Sequence, residues 1–266
     1  TNTNWAKVGD QIELTFEASE ELDVESIEVK IAEKVATVNN TGGLAYRAEY
    51  IMVDTDSEGS VVFSINYQDL AGNKGDSVTS TKDNSQVKFD KTAPTIEFSP
   101  NGNSDYAKSA NSQVTVSDDG SGVDVNTLTY VWTNSETKPG EGWQSFGDGT
   151  ELTLNDLNAN GNWYLHVIAQ DQACNESYVM SNVFLIDNEG PEIIFSEDGN
   201  STPSQTAVST VAVTDAGSGI DEDTLEYVWA DTTSEPTDGW QPLNKEDLIL
   251  KNPGVDGNWY IHVRAK

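Results

Sequence analysis

The chain has 266 residues and carries 14 Lys and Arg against 45 Asp and Glu, a formal net charge of −31. That balance excludes nucleic acid as a partner, since binding it depends on cationic neutralisation of phosphates, and it disfavours anionic membrane surfaces for the same reason. With 36% hydrophobic residues, 7 Trp, 9 Tyr and 7 Phe, the chain is too rich in core-forming side chains to be a disordered acidic polymer.

Thr1 opens the sequence as TNTNWAKVGD, with no signal-peptide pattern, and no apolar run of membrane length follows. We expect an internal segment of a longer protein. The first strand read is QIELTF (11–16), where Ile12, Leu14 and Phe16 alternate with polar residues on a half-buried surface. YRAEYIMV (46–53) and SVVFSINY (60–67) read as further strands, separated from their neighbours by NNTGG and DTDSEG turns. The DTDSEG segment (54–59) starts like an EF-hand loop, but Ile65 stands where the closing bidentate Glu belongs, and the loop is discounted.

Two joints follow. FDKTAPTIEFSP (89–100) and LIDNEGPEIIFS (185–196) each set an acidic residue and a proline before an apolar alternating run. Boundaries near Lys91 and Asp187 give three units, 1–91, 92–187 and 188–266, each of the size of a small sandwich.

The second and third units are a duplication. VTVSDDGSGVDVNTLTYVW (114–132) is answered by VAVTDAGSGIDEDTLEYVW (211–229), EGWQSF (141–146) by DGWQPL (238–243), and GNWYLHV (161–167) by GNWYIHV (257–263). In the middle unit Leu128, Tyr130 and Trp132 share one strand face. Trp163, Leu165, Val167 and Ala169 share another, with Tyr164, His166 and Ile168 expected to point outward. Trp132, Trp163, Trp229 and Trp259 are expected in the core. Short period-two strands with frequent turns, and no convincing amphipathic helix, predict an all-β chain of tandem immunoglobulin-like β-sandwiches. The third lacks a final strand, because ESYVMSNVFLI (176–186) has no counterpart before Lys266, and an unpaired edge is expected there.

These residues carry a resemblance. AKVGDQIELTF, NNTGGLAYRAEY, YQDLAGN and VKFDKTAPTI resemble the bacterial immunoglobulin-like repeats of large surface proteins and adhesins. DDGSGVD, LTYVW and GNWYLHVIAQDQACN are similar to repeats of Gram-positive cell-surface and S-layer-type proteins. The resemblance covers nearly the whole chain. It implies an extracellular location at a bacterial surface or cell wall, a structural or adhesive role, and Ca²⁺ at inter-domain joints. Its implied partners are other domains of the parent protein, neighbouring copies, or cell-wall and host glycans. Such repeats also serve as accessory spacers in secreted enzymes. The departures are Cys174, where the matching DLAGN loop has Gly72, and the shortened third unit.

Catalytic chemistry finds no support. His166 and His262 occupy equivalent strand positions with no nucleophile or acid motif beside them, and they read as structural surface residues. Cys174 is the sole cysteine and has no thiolate-activating motif around it, so an internal disulfide is excluded and a bystander thiol expected. There is no P-loop, zinc spacing or GxSxG. We expect no enzyme.

Two binding readings stay open. Trp143 and Trp240, each following Gly after a polar loop, are candidate stacking platforms for sugars, against a loop-anchoring role for the same rings. The acidic loops are candidate Ca²⁺ ligands, against ordinary turn residues. In a sandwich the loops that hold Asp118 and Asp119, and Asp171 and Asn175, lie at the end that receives the linker bearing Asp90. The counterparts in the third unit are Asp187, Glu189, Asp215 and Asp221.

Overall fold

The computed structural model describes residues 4–147, 151–154, 156, 158–196, 198–244, 248–251 and 256–265. They form three immunoglobulin-like β-sandwiches in tandem, and the only helical turns among them are two 3-10 turns, Val24–Ser26 and Glu222–Thr224. Two compact units make up the chain. One contains Thr1–Asn101, Ser112–Leu152 and Leu165–Ser181; the other contains Gly102–Asn111, Thr153–Tyr164 and Asn182–Lys266. No helix is long and apolar enough to cross a membrane.

The first sandwich runs through β1 (Trp5–Ala6), β2 (Gln11–Glu17), β3 (Glu28–Ile31), β4 (Lys34–Val35), β5 (Thr37–Gly42), β6 (Ala45–Ile51), β7 (Gly59–Ser60), β8 (Phe63–Asn66) and β9 (Lys88–Phe89). One sheet has the order β2-β6-β5 and the facing one β4-β3-β8. Ile12, Leu14 and Phe16, alternating along β2, pack on a core of Val29, Ile31, Ala48 and Ile65. Each buried Val or Ile side chain here contributes ~1.5–3 kcal/mol relative to exposure. A third sheet, β1-β9-β7, brings the start and end of this sandwich side by side, with β1 parallel to β9.

The middle sandwich consists of β10 (Thr95–Ser99), β11 (Ala110–Ser117), β12 (Val123–Thr133), β13 (Gln144–Ser145), β14 (Glu151–Leu154), β15 (Gly161–Asp171), β16 (Glu176–Met180) and β17 (Phe184–Ile186). The order β10-β11-β14 faces β13-β12-β15-β16, with β17 paired to the first residues of β15. Leu165, Val167 and Ala169 are fully buried from β15 and meet Ile96, Val114 and Leu152.

The third sandwich repeats the pattern in β18 (Glu192–Phe195), β19 (Thr206–Ser209), β20 (Val211–Thr214), β21 (Glu226–Ala230), β22 (Gln241–Pro242), β23 (Leu248–Lys251) and β24 (Tyr260–Arg264). Its core, built on Leu225 and Leu243, gathers Val211, Val213, Ile261, Val263 and Ala265. Among the described residues β24 pairs with β21 on one side and with no strand on the other.

Two expectations about side-chain direction need correction. Trp132, Trp163, Trp229 and Trp259 are half-buried rather than enclosed. Indole is large and is seldom wholly covered; Trp132 sits at the margin of the middle core, and the Trp163 N–H donates to the carbonyl of Asn160. The outward face of β15 is also covered, for Tyr164 is buried and His166 is 0% exposed. The reason lies in the segment after β12, which folds back over the sheet. Nε2 of His166 lies 2.9 Å from the Ser135 carbonyl, and Nδ1 lies 2.7 Å from the Tyr178 hydroxyl. Lys138, from the same segment, stands 4.9 Å above the Tyr178 ring and bonds Glu176. The sequence marks both histidines as equivalent but holds no period-two signal for a loop that adds a layer.

Burial holds the His166 pKa below its ordinary value, opposed by its bond to Ser135. The folded state therefore favours neutral imidazole. Below about pH 6.5 the unfolded chain binds a proton that the folded chain resists, so this contribution is present above that pH and is lost as pH falls below it. We expect the melting temperature of the wild type to fall more steeply between pH 7.5 and 5 than that of His166→Gln. Parallel curves would remove His166 from the acid sensitivity of the fold.

Candidate metal centre at the first joint

The joint between the first two sandwiches is built around Asp90, the residue after β9. It is 1% exposed, and each of its polar groups is engaged by a different segment. Its N–H donates to the Ala6 carbonyl at 2.9 Å, and its carbonyl accepts from Asn175 Nδ2 at 3.0 Å. Oδ2 accepts from the Ser121 N–H at 2.6 Å, and Oδ1 from the Thr92 N–H at 3.1 Å. The linker is thus seated in the turn that follows β11. That turn can come so close because residue 120 is glycine: a β-carbon there would lie 2.4–2.6 Å from the Asp90 carboxylate.

Two loops of the middle sandwich bring further carboxylates. Asp118 leaves β11, and Asp171 ends β15 at 1% exposure. One oxygen from each of Asp90, Asp118 and Asp171 lies within 4.8 Å of the others. Asp118 Oδ1 accepts from the Gly122 N–H at 2.6 Å, whereas its Oδ2 is shut off from solvent and accepts no hydrogen bond among the described residues. Burial raises the pKa of Asp118; the Gly122 N–H opposes this, and the charges of Asp90 and Asp171 add to it. Asp171 is braced by Asn175, whose N–H and Nδ2 donate to Oδ1 and Oδ2 at 2.8 and 2.7 Å.

The remaining candidates take other positions. Asp119 is exposed and lines a groove of about 490 Å³ beside Trp5, Glu58 and Asp90. Asn175 presents its amide N–H groups to Asp171 and Asp90, so it acts as a brace. In the third sandwich Asp187 Oδ2 accepts from the Ser218 N–H at 2.7 Å; hydrogen bonding from the Ser218 side chain first, and then from that N–H, holds the Asp187 pKa low, and Asp215 Oδ1 accepts from Gly217 and Gly219. Glu189 turns back to Asn160, and Asp221 caps the 3-10 turn through the Asp223 N–H. Among the described residues, only the Asp90 group brings three metal-binding side chains together. The EF-hand-like loop is used structurally. Its Asp56 is buried and accepts from Tyr50 and Val53, while the carbonyls of Asp54 and Asp56 hold the Lys91 ammonium.

Trp143 and Trp240 are half-buried, and their indole N–H groups donate to the carbonyls of Pro139 and Pro236 at 3.1 and 2.9 Å. The guanidinium of Arg264 lies 4.1 Å over the Trp240 ring. Both rings anchor the segment that folds back over its sheet.

Sequence reading missed three contributors at the joint: Gly120, the Ser121 N–H, and Lys7, whose ammonium donates to the Cys174 carbonyl at 2.6 Å. The first two have a signal in the sequence, the GSG repeated at 120–122 and 217–219. Cys174 has φ +70° and Gly72 has φ +86°, so the two loops share a left-handed turn despite the different residue.

No protein-family model matches the sequence, and no curated protein matches it. Solved structures similar to it include the Clostridium thermocellum CbhA fibronectin(III)-like modules, at 13% identity over 69% of this chain and 88% of that one, with a TM-score of 0.32. The chicken CNTN1 FN1–FN3 domains are 11% identical over 96% of this chain and 88% of theirs, at 0.31. Bacteroides ovatus SGBP-B, solved with a mixed-linkage heptasaccharide, is 13% identical over 100% and 70%, at 0.22.

The close approach at Gly120 is open to test. Gly120→Ala forces a β-carbon against the Asp90 carboxylate and is expected to cost ~1–3 kcal/mol in thermal unfolding. Gly140→Ala meets nothing within 4 Å and is expected to change stability by less than ~0.5 kcal/mol. Equal melting temperatures for the two variants would show that the linker does not depend on this contact.

Proposed function

We propose that this chain is a non-catalytic spacer or assembly segment of an extracellular bacterial-surface protein, and that a Ca²⁺ ion stiffens its first joint. The observation that carries the reading is the buried, unpartnered Oδ2 of Asp118 among three carboxylates drawn from the linker and two loops. No Lys or Arg forms an ion pair with any of the three among the described residues. Bringing like charges this close costs several kcal/mol at a protein's effective dielectric unless a cation offsets it.

The donor set fits a hard cation. Ca²⁺ takes six to eight oxygen ligands and favours carboxylates, and when bound it would neutralise the repulsion among the three groups. Asp90 would tie the ion to the first sandwich, while Asp118 and Asp171 would tie it to the second. The brace from Asn175 holds Asp171 in place, and the Ser121 N–H holds Asp90. Boundaries near Lys91 and Asp187 fit this scheme, because each is a point where an aspartate of the linker seats in a GSG turn of the next sandwich.

A spacer role also agrees with the state of the other candidate groups. His166 holds a folded-back loop, and Trp143 and Trp240 serve as anchors of such loops.

Calorimetric titration with Ca²⁺, followed by melting curves with Ca²⁺ and then with chelator, tests the proposal. We expect binding to raise stability by about 2.7 kcal/mol at a hundredfold excess over the dissociation constant. Asp118→Asn, which leaves the Asp90 anchor in place, should lose most of the gain. No heat of binding and superimposable melting curves would reduce the three aspartates to turn residues.

A further inference from the structure

We propose that residues 134–143 form a pH-sensitive strap, closed over the outer face of β15 and β16 at neutral pH and lifted from it in mild acid while the sandwich beneath stays folded. The contacts of His166 fix the protonation state that the closed strap requires. Its Nε2 faces the Ser135 carbonyl at 2.9 Å and the Thr133 hydroxyl at 3.1 Å. A carbonyl only accepts, so Nε2 carries the hydrogen, and in a neutral ring Nδ1 must then accept from the Tyr178 hydroxyl at 2.7 Å. The two rings lie nearly parallel, with centroids 6.0 Å apart.

A second proton on the ring has no place in this arrangement. Nδ1–H would point at the Tyr178 oxygen, and the hydroxyl would have to turn its own hydrogen away. Among the described residues that oxygen has no other partner to receive it. The imidazolium would also be 0% exposed, with three neutral partners and no carboxylate. Burial already disfavours the charged ring in the closed state.

What keeps water from His166 is thin. Residues 134–138 and 140–142 are exposed, and Pro139 is half-buried between them. The ends of the strap are secured separately. Thr133 belongs to β12, and β13 pairs with β12 through Thr129 opposite Ser145 and Tyr130 opposite Gln144. Phe146, just beyond, packs on the middle core. A segment with firm ends and few buried contacts opens at a fraction of the cost of global unfolding. Besides Ser135, its tie to β16 is Lys138, which bonds Glu176 at 3.3 Å and stands 4.9 Å over the Tyr178 ring.

The charged groups around His166 are those of the strap itself, Glu136, Lys138 and Glu141, and Glu176 on β16. Lys138 and Glu176 offset each other. Neighbouring Val131–Thr133 of β12 and Gln144–Ser145 of β13 carry no charge, and β15 carries none before Asp171. His166 is therefore the group that titrates under the strap near neutrality. The open strap returns the imidazole to water and to its ordinary pKa, so opening takes up a proton below about pH 6.5. The open fraction then grows by up to tenfold per pH unit, until the pH falls below the closed-state value.

A protease that cuts after glutamate reads the opening at Glu136 and Glu141. The full chain is digested from pH 7.5 to 5.5, and each rate is divided by that of a synthetic peptide of residues 131–147 at the same pH. We expect the ratio to rise by about fivefold or more, while the far-ultraviolet circular dichroism of the sheets stays constant. The ring-nitrogen resonances of His166 should change over the same pH range. His166→Gln, which keeps a donor for the Ser135 carbonyl but does not titrate, should give a flat ratio. Lys138→Met should raise the ratio at every pH and leave its pH dependence unchanged. A flat ratio in the wild type, an equal rise in His166→Gln, or a rise that coincides with loss of the sheet signal would each overturn the proposal.

Discussion

Each backbone and carboxylate group of Asp90 is bonded to a different piece of the protein: β1, the turn after β11, the linker itself and the loop after β15. A single buried aspartate therefore fixes where the first sandwich ends and how the second begins. The arrangement needs Gly120, because any side chain there would meet the carboxylate. It also needs Asn175, which satisfies the Asp90 carbonyl and the Asp171 carboxylate at once. Seating the linker so deeply draws Asp118 and Asp171 inward around it. The acidic cluster is a consequence of how the joint is closed.

The second joint repeats the linker contact of the first. Asp187 accepts from Ser218 as Asp90 accepts from Ser121, and a β-carbon at Gly217 would lie 2.5–2.8 Å from its carboxylate. The pKa shifts follow the surroundings. Asp187, supported by hydrogen bonds and beside Lys108, is pushed down, whereas Asp118, buried among carboxylates, is pushed up.

Much of this was legible in the sequence because period-two alternation and internal repetition are local or self-referential signals. Ile12, Leu14 and Phe16 announced β2, and the duplicated blocks announced the matching cores of the second and third sandwiches. Asp90, Asp118 and Asp171 could be grouped because sandwich topology puts their segments at one end. The roles of Asp119, Asn175 and Asp221 could not be separated from theirs, since the direction of a side chain leaving a loop depends on φ, ψ and on neighbours far away in sequence. His166 departs from its expected exposure for a related reason: alternation reports which face a residue shares, and says nothing about a loop that comes back to cover that face.

The parallel pairing of β1 with β9 has a mechanical meaning. The Lys88 N–H bonds the Asn4 carbonyl and the Asp90 N–H bonds that of Ala6, each at 2.9 Å. Because the two strands run the same way, lie side by side and come from the first and last residues of the first sandwich, tension along the chain slides one past the other. Both bonds are then strained together in shear, instead of opening in turn as in an unzipping hairpin. The second of them belongs to Asp90, so the residue that sets the joint also lies on the path by which a pulling force would leave the first sandwich.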